Sequence, residues 1–161
     1  KIDEYLRAHK PTVISINYVP EGIEPDYIFL SNAKRYVQLA TRLSQGKYVL
    51  IATSNVTGTS DKAFDYVLNF STLMDPEAKI VDNSLVMLLK ALNSLGCKSV
   101  TLAGFDGYSR ETSNYYNVEM EYDFAKNMAE YLNAYTCRFL EGIRGTMEVT
   151  FLTDSRYSKD R

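Results

Sequence analysis

DNSLVMLLKALNSLGCKSVTLAGFDGY, residues Asp82 to Tyr108, holds a helix, a strand and a polar turn in immediate succession. Leu85, Leu88, Leu89, Leu92 and Leu95 recur at helical spacing, which predicts a helix with one buried apolar face. Asp82-Asn83-Ser84 supplies short side-chain oxygens to cap its start, and Gly96 stops it. Ser99 to Ala103 then reads as a charge-free strand. It empties into Gly104-Phe105-Asp106-Gly107-Tyr108, where a glycine on either side of the Phe-Asp pair permits a sharp exit. A helix feeding an uncharged strand that ends in a polar turn is one step of a parallel α/β sheet.

The same step recurs toward the N-terminus. Lys47 to Thr53 reads as a strand, ending in the small polar loop Ser54 to Ser60. Before it, a helix from about Asn32 to Ser44 puts Tyr36, Leu39, Ala40 and Leu43 on one face, with Lys34, Arg35, Gln38 and Arg42 outside and Gly46 as its C-terminal cap. Asp26 to Leu30 is a further strand, set off by the loop that contains Pro20, Gly22 and Pro25. Thr12 to Asn17 is expected to be a central strand, and Ile2, Tyr5 and Leu6 mark a helix ended by Pro11. Tyr66 to Phe70 is expected as a short strand. Beyond Tyr108 the pattern predicts a long helix with Phe124, Met128, Tyr131, Leu132 and Tyr135 on one side, then a last strand from Met147 to Leu152.

This alternation predicts a single domain over residues 1–161. Its class is α/β, a doubly wound, mostly parallel and Rossmann-like sheet with helices on both faces, joined by right-handed crossovers. Five or six β/α steps fall short of the eight of a TIM barrel. The chain opens on a helix followed by a strand, and no G-x-G-x-x-G or G-x-x-x-x-G-K-[ST] loop occurs in it. The expectation is therefore an excised C-terminal fragment whose first strand and Gly-rich turn lie upstream of Lys1.

Composition narrows the function classes. With 18 Lys and Arg against 20 Asp and Glu, the formal charge is -2 and no basic run stands out, so neither nucleic acid nor an anionic membrane is an expected partner. No run of 18 apolar residues occurs and Lys1-Ile2-Asp3-Glu4 does not open a signal peptide, which predicts a soluble, cytoplasmic protein. Cys97 and Cys137 are far apart in sequence and His9 is the only histidine, so no metal-ligand cluster is expected in this chain. The single histidine also removes most Ser-His-Asp and Cys-His schemes, and catalytic residues cannot be named.

In an open parallel sheet, ligands bind beyond the C-terminal ends of the strands. Those ends nominate Asn17, Asn32, Ser54, Asn55, Asp82, Asn83, Ser84, Gly104, Asp106, Gly107 and Tyr108, with Ser31, Thr53 and the segment Thr153-Asp154-Ser155 beside them. Helix N-termini favour anions, so a phosphorylated ligand suits such a rim. The competing account is that Ser, Asn and Asp stand there to cap helices. Asp106 can accept from a ribose hydroxyl, hold a divalent cation, or close its own turn. Tyr108, Tyr115, Tyr116 and Tyr122 can stack on a base or donate to phosphate, although in a chain with 13 Tyr half-buried packing is the simpler role.

Thr12 to Asn17, Asp26 to Tyr36, Ala52 to Asn55, Asp82 to Leu89, Val100 to Ser109 and Asn114-Tyr115 together resemble the C-terminal domain of bacterial aldolases. In that family a TIM barrel of the hydroxymethylglutaryl-CoA lyase or 4-hydroxy-2-oxovalerate aldolase type precedes a Rossmann-like domain, and the likeness covers nearly the whole chain. The resemblance implies that lyase chemistry and a divalent metal belong to that N-terminal barrel, a partner in cis, and that this fragment alone is not an aldolase. Asn17 and the Leu-rich helix leading into LAGFDGY are also distantly similar to bacterial sialyltransferases that bind a cytidine nucleotide-sugar, and to hydroxymethylpterin diphosphokinase-like domains. The sialyltransferases place a histidine base beyond the position of Tyr108, and none stands there. The expected role is an accessory domain binding a nucleotide or phosphorylated sugar, with no cofactor assigned to this chain and an oligomer possible. The alternatives are a glycosyl- or phosphoryl-transferase, or a degenerate interaction domain.

Overall fold

The structure is a computed structural model and describes residues 1–56, 63–114 and 123–158. The fold is α/β, Rossmann-like, with every described strand pair parallel. The chain divides into two compact units, Asp3–Ala91 with Lys1, and Leu92–Arg161 with Ile2. Among the described residues, no helix is long and apolar enough to cross a membrane.

The first unit is built on a four-stranded sheet, β1 (Ile14–Ile16), β2 (Tyr27–Leu30), β3 (Val49–Thr53) and β4 (Tyr66–Leu68), hydrogen-bonded in that order. β1 was expected at the centre; it stands at one edge of this sheet and is only half-buried. The fully covered strand is β2, where Ile28, Phe29 and Leu30 have no exposed surface. Successive side chains point to opposite faces, so the burial of Phe29 as well as of its neighbours means that both faces of β2 are covered. On the face of Ile28 and Leu30, the helix α2 (Ala33–Leu43) contributes Leu39 and Leu43, which pack with Ala52 and Val56. Two aspartates extend the ladder at strand starts: Asp26 Oδ2 accepts from Val13 N at 2.7 Å and Asp65 Oδ2 from Leu50 N at 2.7 Å.

α2 departs from its expected pattern at two points. Arg35, placed outside by periodicity, is 3% exposed, and its Nη1 donates to Gln38 Oε1 at 3.0 Å. Gly46 is not the helix cap: Ser44 closes α2 in right-handed geometry, and Gly46 instead makes room for the Tyr48 ring, which occupies the space a Cβ would fill. The Tyr48 hydroxyl then donates to Arg42 O at 2.9 Å. The expected strand over Tyr66–Phe70 stops at Leu68, because Asn69 accepts from Ser71 N and so starts the short helix α3 (Phe70–Leu73). The helix α1 (Ile2–His9) precedes the sheet and buries no residue fully.

The helix α4 (Ser84–Ser94) is apolar on more than one face: Leu85, Val86, Met87, Leu88, Leu89 and Ala91 are all buried. A helix apolar all round belongs in an interior rather than at a surface. Leu95 falls past its last turn and is 81% exposed, so the leucine periodicity overran the helix by one member. Gly96 at φ 80° makes the stop, as expected.

In the second unit β5 (Ser99–Leu102) and β6 (Glu148–Phe151) form a two-stranded parallel sheet. The single long helix expected before β6 is two, α5 (Asp123–Asn127) and α6 (Ala129–Ile143), interrupted at Met128 with φ -105° and ψ 10°. The buried face is set by Ala125, Ala129, Leu132, Thr136, Leu140 and Ile143, while Phe124 is 46% exposed. Of the face expected from periodicity, Leu132 and Tyr135 are buried, Met128 and Tyr131 are half-buried, and Phe124 alone is exposed.

Candidate functional site

In the first unit, the strand ends nominated from sequence are joined by a polar knot. Asn17 follows β1 in the left-handed region, at φ 50°, with its amide donating to Phe29 O at 2.8 Å. That geometry turns its side chain between the end of β2 and the start of α4. Nδ2 donates to Ser84 Oγ at 2.7 Å, and Oδ1 accepts from Ser31 N at 3.0 Å. Ser31 Oγ donates to Ser84 Oγ at 2.6 Å. Ser31 is 1% exposed, while Asn17 and Ser84 are half-buried, so this is a partly buried arrangement in which each member satisfies the next. Ser84 accepts twice, which leaves its own hydroxyl proton as the donor not used inside the knot.

The neighbouring nominees are drawn into the same end of the sheet. Asn55 Nδ2 donates to Ser31 O at 3.2 Å, and the Thr53 hydroxyl donates to Asn55 Oδ1. Ser54 Oγ accepts from Phe70 N at 3.0 Å and so serves the start of α3. Asn32 caps α2 by accepting from Arg35 N at 3.1 Å, and Asn83 caps α4 by accepting from Val86 N at 3.2 Å. Asp82 is half-buried, and its carboxylate makes no hydrogen bond or ion pair with a described residue. Asn17, Ser31, Thr53, Asn55 and Ser84 thus converge, while Asn32, Asn83 and Ser54 act as helix caps. Thr57 to Ser60 lie outside the described residues.

In the second unit, the turn after β5 is held from two sides. Gly104 and Gly107 take φ 74° and 100°, a region that favours glycine. The segment after β6 clasps one side: Gly104 N donates to Thr153 Oγ1 at 2.9 Å, Ser155 Oγ to Phe105 O at 2.6 Å, and Arg156 N to Asp106 O at 3.0 Å. From α6, Asn133 clasps the other: Oδ1 accepts from Tyr108 N and Nδ2 donates to Tyr108 O, both at 2.8 Å. Asn133 Oδ1 also accepts from the Tyr157 hydroxyl at 2.8 Å.

Burial pushes the Tyr157 phenol up to about 12, an effect opposed by the adjacent Thr136 hydroxyl. Thr136 Oγ1 itself is buried, and no partner meets hydrogen-bond geometry with it; it lies beside the phenol rather than bonded to it. The bond that counts is therefore the one from Tyr157 to Asn133, a protonated donor at any ordinary pH.

The clasped backbone leaves the side chain of Asp106 exposed, with no hydrogen bond or ion pair to any described residue. Among the described residues no group of three or more His, Cys, Asp or Glu gathers as a metal site would require, so the cation role considered for Asp106 finds no further ligands there. Tyr108 is half-buried; Tyr115, Tyr116 and Tyr122 lie outside the described residues. Sequence reasoning nominated Thr153 and Ser155 only as strand-end neighbours and missed Asn133, Arg156 and Tyr157. An Asn inside the helix α6 was the available signal, since that residue disfavours helix interiors unless its side chain is engaged.

Neither a protein-family model, nor a curated protein sequence, nor a solved structure matches the chain.

Proposed function

We propose that this chain is an accessory ligand-binding domain that takes a nucleotide or phosphorylated sugar at the Gly104–Tyr108 turn, beyond the C-terminal ends of parallel strands. One observation carries the reading: a carboxylate, Asp106, stands exposed, without a hydrogen bond or ion pair to any described residue, on a turn whose backbone is held by five hydrogen bonds with Thr153, Ser155, Arg156 and Asn133. Fixing a turn costs conformational entropy, and a rigid turn that spends none of its carboxylate internally is preorganised for an external hydroxyl. A ribose or sugar diol offers such donors.

On the resemblance to aldolase C-terminal domains, the lyase step and its divalent metal are assigned to a barrel encoded upstream of Lys1, and this domain delivers or senses a phosphorylated ligand in the cytoplasm. Reading the coding sequence upstream tests that part; a domain of another architecture there would overturn it. Binding itself is tested by calorimetry with nucleoside mono- and diphosphates, nucleotide-sugars and sugar phosphates. At least one class is expected to bind, and Asp106→Asn to weaken it about tenfold, as loss of a charge-assisted hydrogen bond does. Absence of binding to the whole panel would refute the proposal.

A second reading, an interaction domain without a ligand, is favoured by the knot of Asn17, Ser31 and Ser84, which closes on itself almost completely. It predicts silence in the same titrations.

A further inference from the structure

We infer that Arg156 is an anion-binding arm of this turn, taking a phosphate group of the same ligand whose hydroxyl Asp106 accepts. The inference rests on the binding reading above and adds to it the residue, the chemical group and the reason for a glycine at position 107.

Arg156 is tied to the turn by its own backbone, through the bond from its amide to Asp106 O at 3.0 Å. Its side chain then runs flat over Gly107. A Cβ at Gly107 would lie 2.9 Å from Arg156 Cδ and 3.2 Å from both Cβ and Cγ, so the aliphatic stem occupies the space that any other residue would fill. Gly107 is thus fixed twice, by its φ of 100° and by the arm lying on it. Holding the stem against backbone removes part of the rotamer freedom that a free arginine loses on binding.

The charged end of the arm is unspent. Arg42 and Arg110 each pair with a glutamate, at 3.6 Å and 3.3 Å. Arg156 makes no ion pair and no side-chain hydrogen bond with a described residue, and it does not pair with Asp106 although the two are joined by a backbone hydrogen bond. One turn therefore carries two opposite charges, neither of them in an ion pair or side-chain hydrogen bond with a described residue. A ligand bearing hydroxyls on one side and a phosphate on the other satisfies both, and the planar guanidinium fork matches phosphate oxygens two at a time.

The test compares adenosine with AMP, and uridine with UMP, on wild type, Arg156→Met, Arg156→Lys and Asp106→Asn. Arg156→Met should weaken the monophosphate at least tenfold and leave the nucleoside within twofold, Arg156→Lys should fall between, and Asp106→Asn should weaken both. Inorganic phosphate titrated into wild type should shift the Arg156 Nε–H resonance, and nucleoside should not. Arg156 is exposed, so its variants should fold; Gly107→Ala is the more disruptive companion and should repeat the loss of phosphate discrimination. If wild type binds a monophosphate and Arg156→Met binds it equally, the arm is refuted while the binding reading stands. If AMP, UMP and phosphate all fail to bind wild type, the arm is refuted, and if the nucleotide-sugars and sugar phosphates fail as well, the binding reading falls with it.

Discussion

Replacing Asn17 separates what its side chain contributes from what its backbone costs. Asn17→Ala removes a donor bond to Ser84 at 2.7 Å and an acceptor bond from Ser31 N at 3.0 Å. Each is worth about 1 kcal/mol net, and the buried Ser31 amide is left without a partner. Alanine must also hold φ 50°, which asparagine tolerates better, at about 1 kcal/mol. The expected loss is about 3 kcal/mol for Asn17→Ala. Asn17→Gly loses the same two bonds but accepts the backbone geometry, so its loss should be nearer 2 kcal/mol. Urea unfolding followed by far-UV circular dichroism gives both values, and amide hydrogen exchange at Ser31 reads the broken bond directly, since that residue is 1% exposed. The reasoning is refuted if glycine proves as damaging as alanine, or if alanine costs less than about 1 kcal/mol with Ser31 still protected.

The remaining predictions concern Tyr157 and two glycines. Tyr157 has its folded pKa raised to about 12 from an ordinary 10.0, so its contribution is intact below pH 10 and is lost as pH rises from there through 12, on the order of 2 kcal/mol. Unfolding free energies of wild type should therefore fall more steeply over that window than those of Tyr157→Phe, and parallel curves would count against it. Gly46→Ala should cost about 1 kcal/mol by driving the Tyr48 ring off its bond to Arg42 O. Gly142→Ala, in α6 with open space at its Cβ, should instead stabilise by about 1 kcal/mol. A thermal shift series that gives both alanines the same sign would contradict the contrast.

What was legible in the sequence was periodic. Short apolar runs and the leucine-rich helix gave the α/β class and the positions of α2, α4, β2, β3, β5 and β6 to within a few residues, because each is bounded by turn residues; of these strands β2 is covered on both faces, while β5 and β6 each leave one face exposed. Where one residue type served two purposes, the pattern misled. Gly46 looks like a cap and is a clearance for an aromatic ring. Phe124 looks like core and is exposed, while its neighbour Ala125 is the buried residue of α5.

The strand-end residues separate along the same line. Proximity of Asn17 to Ser84, 67 residues away, follows from parallel topology, which gathers the C-terminal ends of strands wherever they fall in the chain. Whether gathered polar groups are spent on each other cannot be read from their spacing. Asn17, Ser31 and Ser84 are spent, and their removal should register chiefly as lost stability. Asp106 and Arg156 make no side-chain hydrogen bond or ion pair with a described residue, although the turn they share is tied through its backbone, and the helix position that holds Tyr108, Asn133, lies 25 residues from it. Substituting those two residues should therefore leave the unfolding curve nearly unchanged while altering what binds, the reverse of the result expected at Asn17.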